Sequence, residues 1–101
     1  MEIVLKIQGN IHNLMRQCGY YFERQDKEEL VFIRALGNSK SGYPRFHIYL
    51  KTDSVSCQIR INLHLDQKKP IYQSAAAHAG EYDGDLVERE AERIKQIIAG
   101  R

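Results

Sequence analysis

Two runs of strict alternation constrain this chain more than any other feature. From Pro44 to Lys51, the apolar set Phe46, Ile48 and Leu50 alternates with Arg45, His47, Tyr49 and Lys51. From Cys57 to Asp66, the apolar set Cys57, Ile59, Ile61, Leu63 and Leu65 alternates with Gln58, Arg60, Asn62, His64 and Asp66. Successive side chains of a strand point to opposite faces, so each run is a strand with one greasy and one polar side. The connection Thr52-Asp53-Ser54-Val55-Ser56 makes the pair a long β-hairpin. Both apolar sets must face one core, which fixes the register and puts the polar sets together on the other face. His47 then sits near Arg60, Asn62 or His64, according to the turn.

The remaining segments supply partners for that hairpin. Glu2 to Gln8 alternates Ile3, Leu5 and Ile7 with Val4 and Lys6, as a first strand does. Asn10 is placed to cap a short helix that carries Ile11, Leu14, Met15 and Cys18 on one stripe and stops at Gly19, with His12 on its wet side. Tyr20 to Gln25 reads as a second strand and Asp26-Lys27-Glu28 as its turn. Glu29 to Leu36 follows as a third, with apolar residues on both faces (Leu30, Val31, Phe32, Ile33), which suits an inner position. The loop from Gly37 to Gly42 has the glycine spacing of a phosphate-binding loop. No Lys-Ser/Thr follows the second glycine, however, and Pro44 leads into a strand where that motif needs a helix.

Gln67 to Gly84 is a long irregular connection with a helical turn capped by Ser74. Asp85 with Glu88 reads as a capping box. Val87, Ala91, Ile94 and Ile98, with Leu86 and Ile97 alongside, form the stripe of a final helix ending at Gly100. The expected order is β-α-β-β-β-β-α. This is a single α+β domain over residues 1–101, with a mostly antiparallel five-stranded sheet, two helices on one face and the other face partly open.

A chain of 101 residues, 43% hydrophobic and 28% charged, can bury a core without staples. No apolar run approaches a membrane span and the N-terminus lacks the shape of a signal peptide, so a cytoplasmic protein without a membrane partner is expected. Cys18 and Cys57 fall at apolar-face positions and are expected to be buried reduced thiols; two such distant cysteines make neither a disulfide framework nor a zinc pair. The net charge of +2 is uninformative, but its distribution is not. Arg34 to Lys69 holds seven basic residues (Arg34, Lys40, Arg45, Lys51, Arg60, Lys68, Lys69) against Asp53 and Asp66, whereas the segment after Lys69 has four basic and six acidic residues. The basic charge follows the hairpin.

Three chemistries fit the polar hairpin face. In the first, it binds nucleic acid, RNA above all: Arg45, Lys51, Arg60, Lys68 and Lys69 contact phosphate with Asn62 beside them. Tyr49 stacks on bases there, and His47 and His64 are the candidate proton-transfer residues. In the second, His47, His64 and His78 hold a divalent metal such as zinc, with Asp66, Glu81 and Asp83 near in sequence; no H-E-x-x-H or cysteine pair supports a particular motif. In the third, the open sheet face closes on a protein partner or forms a homodimer. The plain alternative to all three is a solvated polar face, and the first needs no cofactor. A Ser-His-Asp hydrolase is unsupported, because no G-x-S-x-G elbow is present and Ser54, Ser56 and Ser74 suit turns or caps.

The order helix, Gly-Tyr-aromatic, Arg-Gln, tight turn and inner strand runs from Leu14 to Leu36 and includes Cys18-Gly19-Tyr20-Tyr21-Phe22-Glu23-Arg24-Gln25. It resembles the opening of the HicA-type toxins. That resemblance implies a double-stranded-RNA-binding-domain-like fold and RNA cleavage. The family's catalytic histidine opens the strand after the turn, where this chain has Lys27-Glu28-Glu29-Leu30. No catalytic residue is carried over, so cleavage would fall to His47 or His64.

Overall fold

A computed structural model describes residues 1–7, 9–37, 42–67, 80–81 and 84–100. The elements are β1 (Glu2–Lys6), α1 (Ile11–Gln17), β2 (Tyr21–Asp26), β3 (Glu29–Ala35), β4 (Arg45–Asp53), β5 (Gln58–Asp66), β6 (Gly80–Glu81) and α2 (Asp85–Ala99). The sheet runs β1-β5-β4-β3-β2, antiparallel throughout, and β6 adds to β5 beyond the end of β1. This is the α+β architecture expected from the alternation, with the two-residue β6 as an addition. Among the described residues no helix is long and apolar enough to cross a membrane.

The hairpin forms as its pattern requires. Phe46 pairs with Leu65, Ile48 with Leu63 and Leu50 with Ile61, so the apolar sets share one face. Leu14 and Met15 from α1 and Val87, Ala91 and Ile94 from α2 close over that face into one core with Phe32, Ile3 and Ile59. Each fully buried aliphatic side chain contributes about 1.5–3 kcal/mol relative to exposure. The turn is closed by Asp53, whose Oδ1 accepts from the Val55 amide at 3.0 Å and the Ser56 amide at 3.4 Å. Asn10 caps α1 by accepting from the Asn13 amide at 3.0 Å.

A buried carboxylate ties α2 to the sheet. The Tyr20 hydroxyl donates to Glu90 Oε2 at 2.6 Å, and Arg93 donates to both Glu90 oxygens at 2.8 and 2.9 Å. Arg93 also donates to the Cys18 carbonyl, and Arg34 Nη1 reaches Glu90 Oε1 at 3.4 Å. Burial, followed by the adjacent Glu90 charge, pushes the Tyr20 hydroxyl far above its ordinary value, so it stays protonated and donates.

Several expectations change. Cys57 is exposed rather than buried: it closes the turn with a left-handed φ of 59°, which takes it out of the strand alternation, and β5 begins only at Gln58. Cys18 is buried as expected. Asp85 is not a cap; Gly84 occupies that position without a side-chain hydrogen bond, and Asp85 and Glu88 lie in the first turn, where their charge favours the helix dipole. Tyr20 precedes β2 and is buried, and Leu86 is exposed. Arg34, counted with the basic hairpin charge, points to the helix side and Glu90. His12 is solvent-exposed, with its ring at 5.1 Å from that of Phe22.

Candidate metal centre

The register puts His47 directly opposite His64, with Arg45 opposite Asp66, Tyr49 opposite Asn62 and Lys51 opposite Arg60. Directly opposed residues share a face, so the polar sets do lie together, away from the helices. They are not equally wet. Lys51, Arg60 and Asn62 are exposed, whereas His47 and His64 are only 6% and 7% exposed. Val31, opposite Tyr49 on β3, is fully buried on this same face. The face is open at the turn end of the hairpin and closed around the imidazoles.

Around the two rings the groups form one cluster. The rings lie 4.9 Å apart, and Tyr49 stacks on both, at 4.9 Å from His47 and 5.5 Å from His64. Asp66 bridges them: its Oδ2 is 3.0 Å from His47 Nδ1, and its Oδ1 is 3.5 Å from His64 Nε2. Arg45 Nε approaches Asp66 Oδ2 at 3.5 Å, and Arg45 Nη1 approaches Glu23 Oε2 at 3.6 Å, while its guanidinium covers the Tyr43 ring at 4.4 Å. Two buried atoms, His47 Nε2 and Arg45 Nε, make no hydrogen bond among the described residues. The nearest carboxylate oxygen to His47 Nε2 is Glu23 Oε1 at 3.8 Å, too long for a hydrogen bond.

Glu23 is two residues on from Tyr21, which pairs with Ile33 opposite His47, so alternation carries it to the imidazole face, where β2 also has a bulge. The register against β3 shifts between Phe22 and Arg24, leaving Glu23 as an extra residue. Bulges re-aim side chains, and here Arg24 joins Glu23 on the imidazole face. Alternation alone assigned no role to Glu23. The available signal was the pair Glu23-Arg24 directly after two aromatics, which breaks a period of two.

Burial is the main cause that lowers the His64 pKa; the neighbouring Asp66 opposes it and His47 reinforces it, so the ring is neutral at pH 7. Burial acts to raise Asp66, but the hydrogen bond with His47 and the positive charge nearby outweigh it and hold the carboxyl below its usual range. A neutral imidazole and an ionised carboxylate are the forms that bind metal. Donor atoms of His47, His64 and Asp66 all lie within 4.8 Å of one another. In tetrahedral zinc with N and O donors near 2.0–2.1 Å, donor atoms sit about 3.3 Å apart. His47 Nδ1 and His64 Nε2 stand 3.0 and 3.5 Å from different oxygens of Asp66, so small side-chain shifts bring the three donors onto that edge.

The structure therefore brings together His47, His64 and Asp66, adds Glu23, and ties Arg45 into carboxylates rather than leaving it for phosphate. Lys68, Lys69, His78 and Asp83 lie outside the described residues, and Glu81 is described by its backbone only. The strands of this face carry the cations Lys6, Arg24, Arg45, Lys51 and Arg60 against the carboxylates Glu2, Glu23, Asp26, Glu29, Asp53 and Asp66, so the face as a whole is not basic. No family model, curated protein or solved structure matches the chain significantly.

Proposed function

We propose that this protein binds one divalent transition metal, zinc being the natural choice, through His47 Nδ1, His64 Nε2 and Asp66. The observation that carries this reading is the bridging carboxylate between two touching, buried imidazoles. Three protein donors leave a fourth position for water, the composition of catalytic rather than structural zinc sites. Bound zinc lowers the pKa of such a water to about 7 and makes it a nucleophile. His64, Tyr49, Asn62 and Glu29 line an adjacent hollow where a small polar substrate would meet it, which makes metal-dependent hydrolysis the associated activity. The free thiols of Cys18 and Cys57 support a cytoplasmic setting.

Tag-free protein titrated with zinc against a chelating dye tests this. One equivalent should bind, His47→Ala, His64→Ala and Asp66→Ala should each weaken it about a hundredfold or more, and replacing both cysteines by serine should change nothing. Absence of stoichiometric uptake overturns the proposal.

A second reading, RNA binding, is favoured by one observation. Lys51 and Arg60 are exposed and directly opposed, an arrangement that costs stability unless an anion lies between them. They also line one hollow with Asp53 and Gln58. In this reading, single-stranded RNA binds with an affinity that falls steeply with salt, and the Lys51→Ala/Arg60→Ala double variant flattens the slope by about two units. Salt-independent binding, or none, rules it out.

A further inference from the structure

The unsatisfied atoms beside the centre say how it would be loaded. Without metal, the 3.0 Å contact between His47 Nδ1 and Asp66 requires a proton on Nδ1, and this leaves the Nε2 lone pair buried without a donor. Metal on Nδ1 reverses the tautomer: the proton moves to Nε2 and needs an acceptor. Glu23 Oε1 stands 3.8 Å away, less than one ångström too far. Metal-ligating histidines almost always donate their other N–H to such a group.

Arg45 is in the opposite situation. Its guanidinium lies against Asp66 at 3.5 Å, within reach of the carboxylate a dication would share. Its Nε makes no hydrogen bond there among the described residues, so the contact is one of charge alone. Glu23 Oε2, at 3.6 Å from Arg45 Nη1, and the Tyr43 ring, at 4.4 Å, offer the guanidinium another seat. Glu23 Oε1 already accepts from Arg24 Nη1 and has a second lone pair to offer His47, while Oε2 faces Arg45.

We infer that Glu23 is the positioning residue of the metal centre, accepting the His47 Nε2 proton as metal binds Nδ1, and that Arg45 is a built-in competitor that holds Asp66 until metal displaces it. This rests on the metal reading above. On loading, Arg45 leaves Asp66 for Glu23 Oε2 and Tyr43, and the Glu23 side chain closes on His47 Nε2 across β3.

Zinc affinity of the full chain, read by competition with a chelating dye, separates the two roles because the variants move it in opposite directions. Glu23→Ala should weaken zinc binding about 10- to 100-fold, and Glu23→Gln, whose carbonyl still accepts a hydrogen bond, should recover part of that loss. Arg45→Gln should tighten binding severalfold. Nitrogen NMR of the imidazoles gives the signature a merely structural role would not: wild-type His47 should change from the Nδ1–H to the Nε2–H tautomer on adding zinc. If wild type binds one zinc but Glu23→Ala matches it, Arg45→Gln weakens it, or the tautomer does not change, the loading scheme is wrong and the centre stands. If wild type takes up no zinc, both fall.

Discussion

His64 and Asp66 are held in their metal-competent forms by opposite balances, and the consequence shows in the metal-free protein. Burial lowers the His64 pKa from its ordinary 6.5; burial also acts to raise Asp66, but the His47 hydrogen bond and the neighbouring positive charge together lower it from 3.8. For each group the unfolded chain binds more protons than the native chain between the two values, so unfolding free energy rises with pH there. Stability should therefore be full above about pH 6.5, decline below it as His64 resists protonation, and decline again below about pH 4 as the Asp66 contribution is lost. Denaturant midpoints of metal-free protein between pH 7 and 5 check the first window. His64→Gln should flatten it, and an unchanged slope would remove His64 from the account.

At the scale of elements, the hairpin was legible because alternation over nine-residue strands states both faces at once, and pairing of the two apolar sets puts the polar sets together. Alternation left Arg60, Asn62 and His64 open as the partner of His47, and the turn selects His64. What was not legible depends on departures from period two. The bulge in β2 brings Arg24 to the same face as Tyr21 and Glu23, and the left-handed Cys57 leaves the strand for the turn. The link between α2 and the sheet was hidden for another reason: Glu90 reads as one more charge on a charged helix, and its partners Tyr20 and Arg34 lie 70 and 56 residues away. Glu90→Ala strips the acceptor from Tyr20 and Arg93 together and should cost about 2–3 kcal/mol in chemical denaturation, the arginines being partly hydrated. A loss below about 0.5 kcal/mol would mean the cluster is ornamental to stability.

For the molecule as a whole, one sheet divides the labour. The helices cover one face and take nearly all the apolar burial, which frees the other face to hold polar groups at fixed spacing on paired inner strands. Those strands are the most rigid available support, since β4 and β5 are each bonded on both sides. Loaded with metal, such a protein gains stability by mass action, about 2.7 kcal/mol at a hundredfold excess of free metal over the dissociation constant. The most direct test is zinc-edge X-ray absorption on protein carrying one equivalent of zinc. Zinc held by His47, His64 and Asp66 should show nitrogen and oxygen donors alone at about 2.0–2.1 Å, with the outer-shell scattering of two imidazoles. A sulfur shell near about 2.3 Å, or six water-like oxygens without imidazole scattering, would contradict it.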